Sequence, residues 1–116
     1  MNAKTERQIE NLKKQTIGVE IEMNHITRER AAKLAADHFG TGRYEYTASR
    51  NGYSTWSAWD AQGREWKFQR DGSIAGCDAE KCELVTPILK YEDIETLQEL
   101  VRNCLLYTSD AADDRI

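Results

Sequence analysis

The sequence predicts an α+β fold, an antiparallel sheet of four to five strands with two helices packed on it. Three observations carry that reading. β-prone runs recur at Thr16–Met23, Tyr53–Trp59, Arg64–Arg70 and Cys82–Thr86. Two other segments place apolar residues at helical spacing, one after Thr27 and one after Asp93. The chain has 116 residues, 40% hydrophobic and 31% charged, enough for one small domain.

Each element has its own signal. Residues 1–14 are polar, with only Ile9 and Leu12 as spaced apolar residues, and read as a lead-in or short helix. Along Thr16–Met23, Ile17, Val19, Ile21 and Met23 share one face, while Gly18, Glu20 and Glu22 share the other. Thr27 is placed to cap a helix through Ala31, Leu34, Ala35 and His38, which Gly40 closes. A short strand is expected within Arg43–Thr47. The segment Asp60-Ala61-Gln62-Gly63 joins two β-prone runs as a hairpin turn, with Asp at its start and Gly at its end. In the second run Trp66, Phe68 and Arg70 share a face opposite Glu65, Lys67 and Gln69; Asp71-Gly72 then breaks the strand. Pro87, the only proline, ends the run Cys82–Thr86. Asp93 starts a helix with Ile94, Leu97, Leu100 and Val101 on one face.

Composition narrows the functional classes. The net charge of −4 argues against bulk attraction to nucleic acid or anionic lipid. No apolar run is long enough for a membrane-spanning helix, and the charged opening lacks the apolar core of a signal peptide. Three cysteines (Cys77, Cys82 and Cys104) are too few and too odd in number for a disulfide scaffold, so a reducing, cytoplasmic location is expected. Cys77 and Cys82, with four residues between them and no second pair, read as incidental thiols rather than a zinc site.

The carboxylates carry the chemistry. Glu20 and Glu22, two apart on a strand, project from one face about 7 Å apart. Such a pair is by default the wet side of an amphipathic strand. Asp71 and Glu83, at the end of one strand and on another, change the weighting: strands pairing in one sheet would gather four acids. Mg²⁺ takes oxygen ligands of this kind, with substrate phosphates completing its shell.

Three segments together resemble the amidoligases, within the glutamine synthetase-like carboxylate–amine ligases. They are Gly18-Val19-Glu20-Ile21-Glu22-Met23, Trp66-Lys67-Phe68-Gln69-Arg70-Asp71-Gly72-Ser73-Ile74 and Glu83-Leu84-Val85-Thr86-Pro87-Ile88-Leu89. Their order and spacing are more specific than any one of them. Tyr91-Glu92-Asp93-Ile94 leading into an amphipathic helix also fits, and the resemblance covers residues 16–103. It implies an ATP- and Mg²⁺-dependent reaction: a carboxylate is phosphorylated, and an amine then displaces phosphate to form an amide. The substrates it implies are small-molecule or peptide carboxylates and amines. Glu20, Glu22 and Glu83 then resemble metal-binding acids, and Asp71 a further acid of the site or a substrate contact. Trp66 is assigned to packing; Lys67 stays open.

The resemblance also implies a glutamine synthetase-like catalytic domain of which residues 15–103 are the N-terminal part. The later Gly-x-His-Val-His-like segment and the basic residues that grip nucleotide are not in this sequence. His25 and His38 read as solvent or packing residues, not substitutes. Cys104 to Asp113 resembles translated sequencing-adapter sequence, so residues 104–116 are expected to be foreign to the domain. The 116-residue chain is accordingly expected to be inactive alone. A rival reading comes from the aromatics: Tyr53, Trp56, Trp59, Trp66 and Phe68 interleave with Arg50, Arg64, Lys67 and Arg70, as in sheets that stack single-stranded nucleic acid. Residues 41–70 carry a local charge of +2. Exposed aromatics ringed by Arg would favour nucleic acid; acids converging in a cleft would favour the ligase.

Overall fold

A computed structural model of the chain describes residues 2–47, 54–70 and 81–113, with only the backbone of residues 12, 13, 81 and 108–113. Asp71, the rest of its motif through Ile74, Cys77, Tyr53 and Arg50 lie outside the described residues. The elements, in order, are α1 (Ala3–Lys14), β1 (Thr16–Ile17), β2 (Glu20–Asn24), α2 (Arg28–Phe39), β3 (Tyr44–Tyr46), β4 (Trp56–Trp59), β5 (Glu65–Gln69), β6 (Lys81–Val85), β7 (Leu89–Lys90), a 3₁₀ turn (Tyr91–Asp93) and α3 (Ile94–Asp113). The α+β class is as expected: among the described residues, five antiparallel strands run in the order β2-β6-β5-β4-β3, and β1 and β7 form a small second sheet.

The run expected as one strand at Thr16–Met23 is two strands in two sheets. The break has a physical cause at Thr86-Pro87. Thr86 N–H donates to the Val19 carbonyl (3.0 Å), and Val19 N–H donates to the Thr86 side-chain Oγ1 (3.0 Å). Beyond that link only Gly18 precedes the next pair, Ile17 with Leu89, on one strand, whereas Pro87 and Ile88 intervene on the other. One extra residue sits opposite a proline that has no N–H to give, so the register slips as in a β-bulge. Ile17 is consequently 49% exposed, while Val19, Ile21 and Met23 pack on the core.

The apolar face of the large sheet carries Trp66, Phe68, Leu84, Cys82 and Ala58, and α2 lies across it. Small side chains make that approach possible: Ala31, Ala32, Ala35 and Ala36 are all buried. Thr27 caps α2 through its Oγ1, which accepts from Arg30 N–H at 3.1 Å. Gly40 closes it with φ 78°, a left-handed conformation that glycine adopts without a Cβ clash. Phe39 ends against Trp66, ring centroids 4.9 Å apart. α3 packs along α2 through Leu97 and Leu100 and continues past Asn103 to Asp113, with Cys104 buried. Leu105 and Leu106 are exposed. α1, capped by the Asn2 side chain, meets the 3₁₀ turn rather than the sheet.

A clamp that sequence reasoning missed ties the β4–β5 turn to the start of α3. Gly63, at φ 79°, closes the turn by donating its N–H to the Asp60 carbonyl. The Asp60 carboxylate accepts from Trp66 Nε1 (2.9 Å), Arg64 Nε (2.8 Å) and the backbone N–H groups of Gln62 and Arg64. The Arg64 guanidinium turns its other two nitrogens on the Asp93 carboxylate at 2.9 and 3.0 Å, a bidentate pair. Burial pushes the Asp60 carboxyl up, but the bonds from Trp66 and Arg64 outweigh it and hold the group below its ordinary value. The hydrogen bond from Arg64 is the main reason Asp93 also lies below its ordinary value, against a smaller opposing effect of burial.

Both shifts are depressions. Their stabilisation is therefore fully present above the unfolded carboxylate pKa of about 4 and is lost as pH falls through the lower folded values. Urea midpoints should fall below about pH 4. Asp93→Asn, weaker at neutral pH, should lose less on acidification; an equal loss in both proteins would contradict the assignment.

Candidate functional site

Strand parity sends Glu20 and Glu22 to the face of the sheet opposite the core. Register then decides their neighbours: Glu22 lies directly opposite Glu83, and Glu20 opposite Val85. Because Thr86 N–H bonds to the Val19 carbonyl, the antiparallel alternation makes Glu22 and Glu83 a non-hydrogen-bonded pair. That is the closer of the two pair types, with Cα atoms about 4.5 Å apart. Glu22 and Glu20 are exposed and Glu83 is half-buried. The next strand brings Gln69 beside Glu83, and Lys67 beside Val85 in the row that begins at Glu20. Lys67, left open in the sequence, is thus a half-buried cation on the same face as the three acids.

Farther along this face the polar side chains are committed to one another. Ser57 Oγ donates to Glu65 Oε2 at 2.6 Å, and Thr47 Oγ1 lies 2.8 Å from Ser57 Oγ. Thr47, Thr55 and Ser57 are buried there, and Arg43 stacks over the Trp59 ring at 4.4 Å. These contacts fix β3–β5; at the β2–β6 end Glu20 and Glu22 meet solvent, as Glu45 does on β3.

Two carboxylates facing across a strand pair, a third two residues along and a cation in the adjacent row suit a hard divalent cation and a phosphate. Among the described residues no three His, Cys, Asp or Glu side chains gather into a ready-made metal cluster. The donor set fits Mg²⁺ in kind, since that ion binds through one or two carboxylates and takes its remaining oxygens from water and phosphate. Asp71, the fourth candidate, lies outside the described residues.

The remaining candidates are placed elsewhere. Cys82 faces the core, where burial pushes its thiol up to about 12, and Cys104 is pushed up to about 11 for the same reason, so both are poor nucleophiles. His38 Nδ1 lies 3.2 Å from Asn103 Nδ2 at the surface, and His25 sits in the turn after β2 with φ 64°. Trp66 and Phe68 are fully buried in the core, whereas Trp59 lies on the opposite face, nearly buried with Arg43 stacked over its ring. Among the described residues no helix is long and apolar enough to cross a membrane.

An α+β domain with acids on the solvent side of its sheet and a helix-covered apolar side is the class that these elements define. Residues 13–105, most of the chain, match the sequence model of the family described as "Putative amidoligase enzyme". The chain belongs to that amidoligase family. No curated protein and no solved structure is similar enough to match it.

Proposed function

We propose that this chain is the acid-bearing N-terminal part of an ATP-dependent carboxylate–amine ligase. The overall reaction forms an amide in two displacements. A substrate carboxylate oxygen takes the γ-phosphoryl group of ATP with ADP leaving, and an amine nitrogen then attacks the acyl carbon with phosphate leaving. Glu22 and Glu83, with Glu20 beside them, would hold Mg²⁺, and the ion when bound would neutralise phosphate charge during phosphoryl transfer. Lys67 adds a fixed positive charge to the same face, and Asp71 serves as a further acid of the site or a substrate contact. Chemistry of this kind works by positioning and charge placement, and the Asp60–Arg64–Asp93 clamp holds the β5 end of the platform.

The observation that carries the proposal is the Glu22–Glu83 pair, two like charges set face to face in a chain of the amidoligase family. Like charges directly opposite on a sheet destabilise it. A divalent cation bound there would offset that repulsion. Residues 15–103 make up the domain in this reading, and residues 104–116 are foreign to it. Alone, the 116-residue chain should bind Mg²⁺ but give no turnover in ATP-hydrolysis or hydroxamate-forming assays, whereas a longer chain carrying the later basic residues should turn over. Turnover by the short chain at the longer chain's rate would overturn the assignment of those residues.

A further inference from the structure

We infer that Ser57 is a positioning residue of the polar face: it holds the Glu65 carboxylate to one side and so keeps the Lys67 ammonium open to a phosphate-bearing ligand. The inference rests on the reading of Lys67 as a cation of the ligase site. Glu65 and Lys67 stand two residues apart on β5, on one face and about 7 Å apart along the strand. Two side chains of that length could form an ion pair, yet the acid is bonded elsewhere. Ser57 Oγ donates to Glu65 Oε2 at 2.6 Å. Among the described residues neither a hydrogen bond nor an ion pair engages Lys67.

Register puts Ser57 where it can do this, directly opposite Lys67. Trp59 N–H bonds to the Arg43 carbonyl, so the antiparallel alternation turns the Ser57 N–H toward β3 as well. Ser57 and Lys67 are therefore a non-hydrogen-bonded pair, the closer of the two types. The direction of the hydroxyl follows from its partners. A carboxylate only accepts, so the Ser57 proton goes to Glu65, and Ser57 Oγ accepts in turn from Thr47 Oγ1 at 2.8 Å. Ser57 is fully buried and Thr47 nearly so, which shields this relay from competing water. Without the Ser57 hydroxyl, Glu65 loses that bond, and Lys67 is the cation beside it on the same strand face.

The test is a double-substitution cycle on the 116-residue chain with two readouts. The first needs no ligand: the rate at which an N-hydroxysuccinimide acetate labels Lys67, followed by peptide mass spectrometry. The second is the binding of inorganic tripolyphosphate in millimolar Mg²⁺. Ser57→Ala should slow labelling and weaken binding by about threefold each, the scale of a partly exposed ion pair. Ser57→Cys, which keeps a weaker donor in place, should lose less. Adding Glu65→Gln to Ser57→Ala should restore both readouts, because a neutral amide does not pair with Lys67 as a carboxylate does. A merely structural serine would not be rescued by that second change. Unchanged labelling in Ser57→Ala, or a loss that Glu65→Gln leaves in place, would overturn the inference. Labelling that follows the cycle while tripolyphosphate binds none of the proteins would uphold the role of Ser57 and overturn the ligase reading.

Discussion

Replacing Trp66 by alanine should remove about 4 kcal/mol of folding free energy, the middle of the range for a fully buried aromatic side chain. Two losses combine there. The indole fills the space between α2 and the sheet against Phe39, and its N–H is one of the bonds that hold the Asp60 carboxylate. A chain of this size has roughly 5–15 kcal/mol in total, so the loss is a large fraction of the stability. Trp66→Phe separates the two contributions. It keeps most of the packing but deletes the hydrogen bond to a charged acceptor, a loss of about 2 kcal/mol. The deletion also releases Asp60 upward, so the acid transition of Trp66→Phe should begin at higher pH than in the parent. Urea denaturation of the three proteins at neutral and acid pH measures both effects. Equal acid transitions in Trp66→Phe and the parent would remove Trp66 from the clamp.

Much of this was legible in the sequence, for reasons that differ from element to element. Period-two alternation placed Glu20 and Glu22 on one face and Trp66 and Phe68 on the buried one, because a strand offers its side chains only two directions. Thr27 and Gly40 marked the ends of α2, because capping chemistry is local. The split of Thr16–Met23 was not legible. It depends on Thr86 lending its hydroxyl to Val19 and on Pro87 withholding an N–H, and both come from a segment some seventy residues away. The same holds for Asp60, Arg64 and Asp93. The first reads as a turn residue and the last as a helix starter, and nothing local announces a guanidinium shared between them. The site falls between these cases. Family motifs and parity named Glu20, Glu22 and Glu83, whereas the direct opposition of Glu22 and Glu83 and the place of Lys67 in the row of Glu20 are matters of register.

In a complete amidoligase carrying this domain, Glu22→Gln and Glu83→Gln should each lower kcat on the order of 10²–10³-fold, the scale of losing one charge-stabilising group from a preorganised site. The folded state should respond in the opposite sense. Removing one of two facing carboxylates relieves repulsion, so Glu22→Gln should be as stable as the parent or more stable by a few tenths of a kcal/mol, since Glu22 is exposed and water screens it. A solvated surface residue would give neither effect, and a residue held for stability would give a loss of both activity and stability. Activity lost while stability is kept marks a site held against its own electrostatics. Lys67→Met should raise the KM for ATP or the carboxylate substrate and leave folding little changed, which steady-state kinetics and a thermal melt together decide.

The most direct test of the central claim is a Mg²⁺ titration of the 116-residue chain and its Glu22→Gln variant, followed by backbone amide resonances. In the parent, millimolar Mg²⁺ should shift the resonances of Glu20, Glu22 and Glu83 together along one saturable curve and raise the melting temperature, while Glu22→Gln should start at least as stable and respond weakly. Unmoved resonances on β2 and β6, or a variant that answers Mg²⁺ as fully as the parent does, would contradict the assignment of these acids to a metal site.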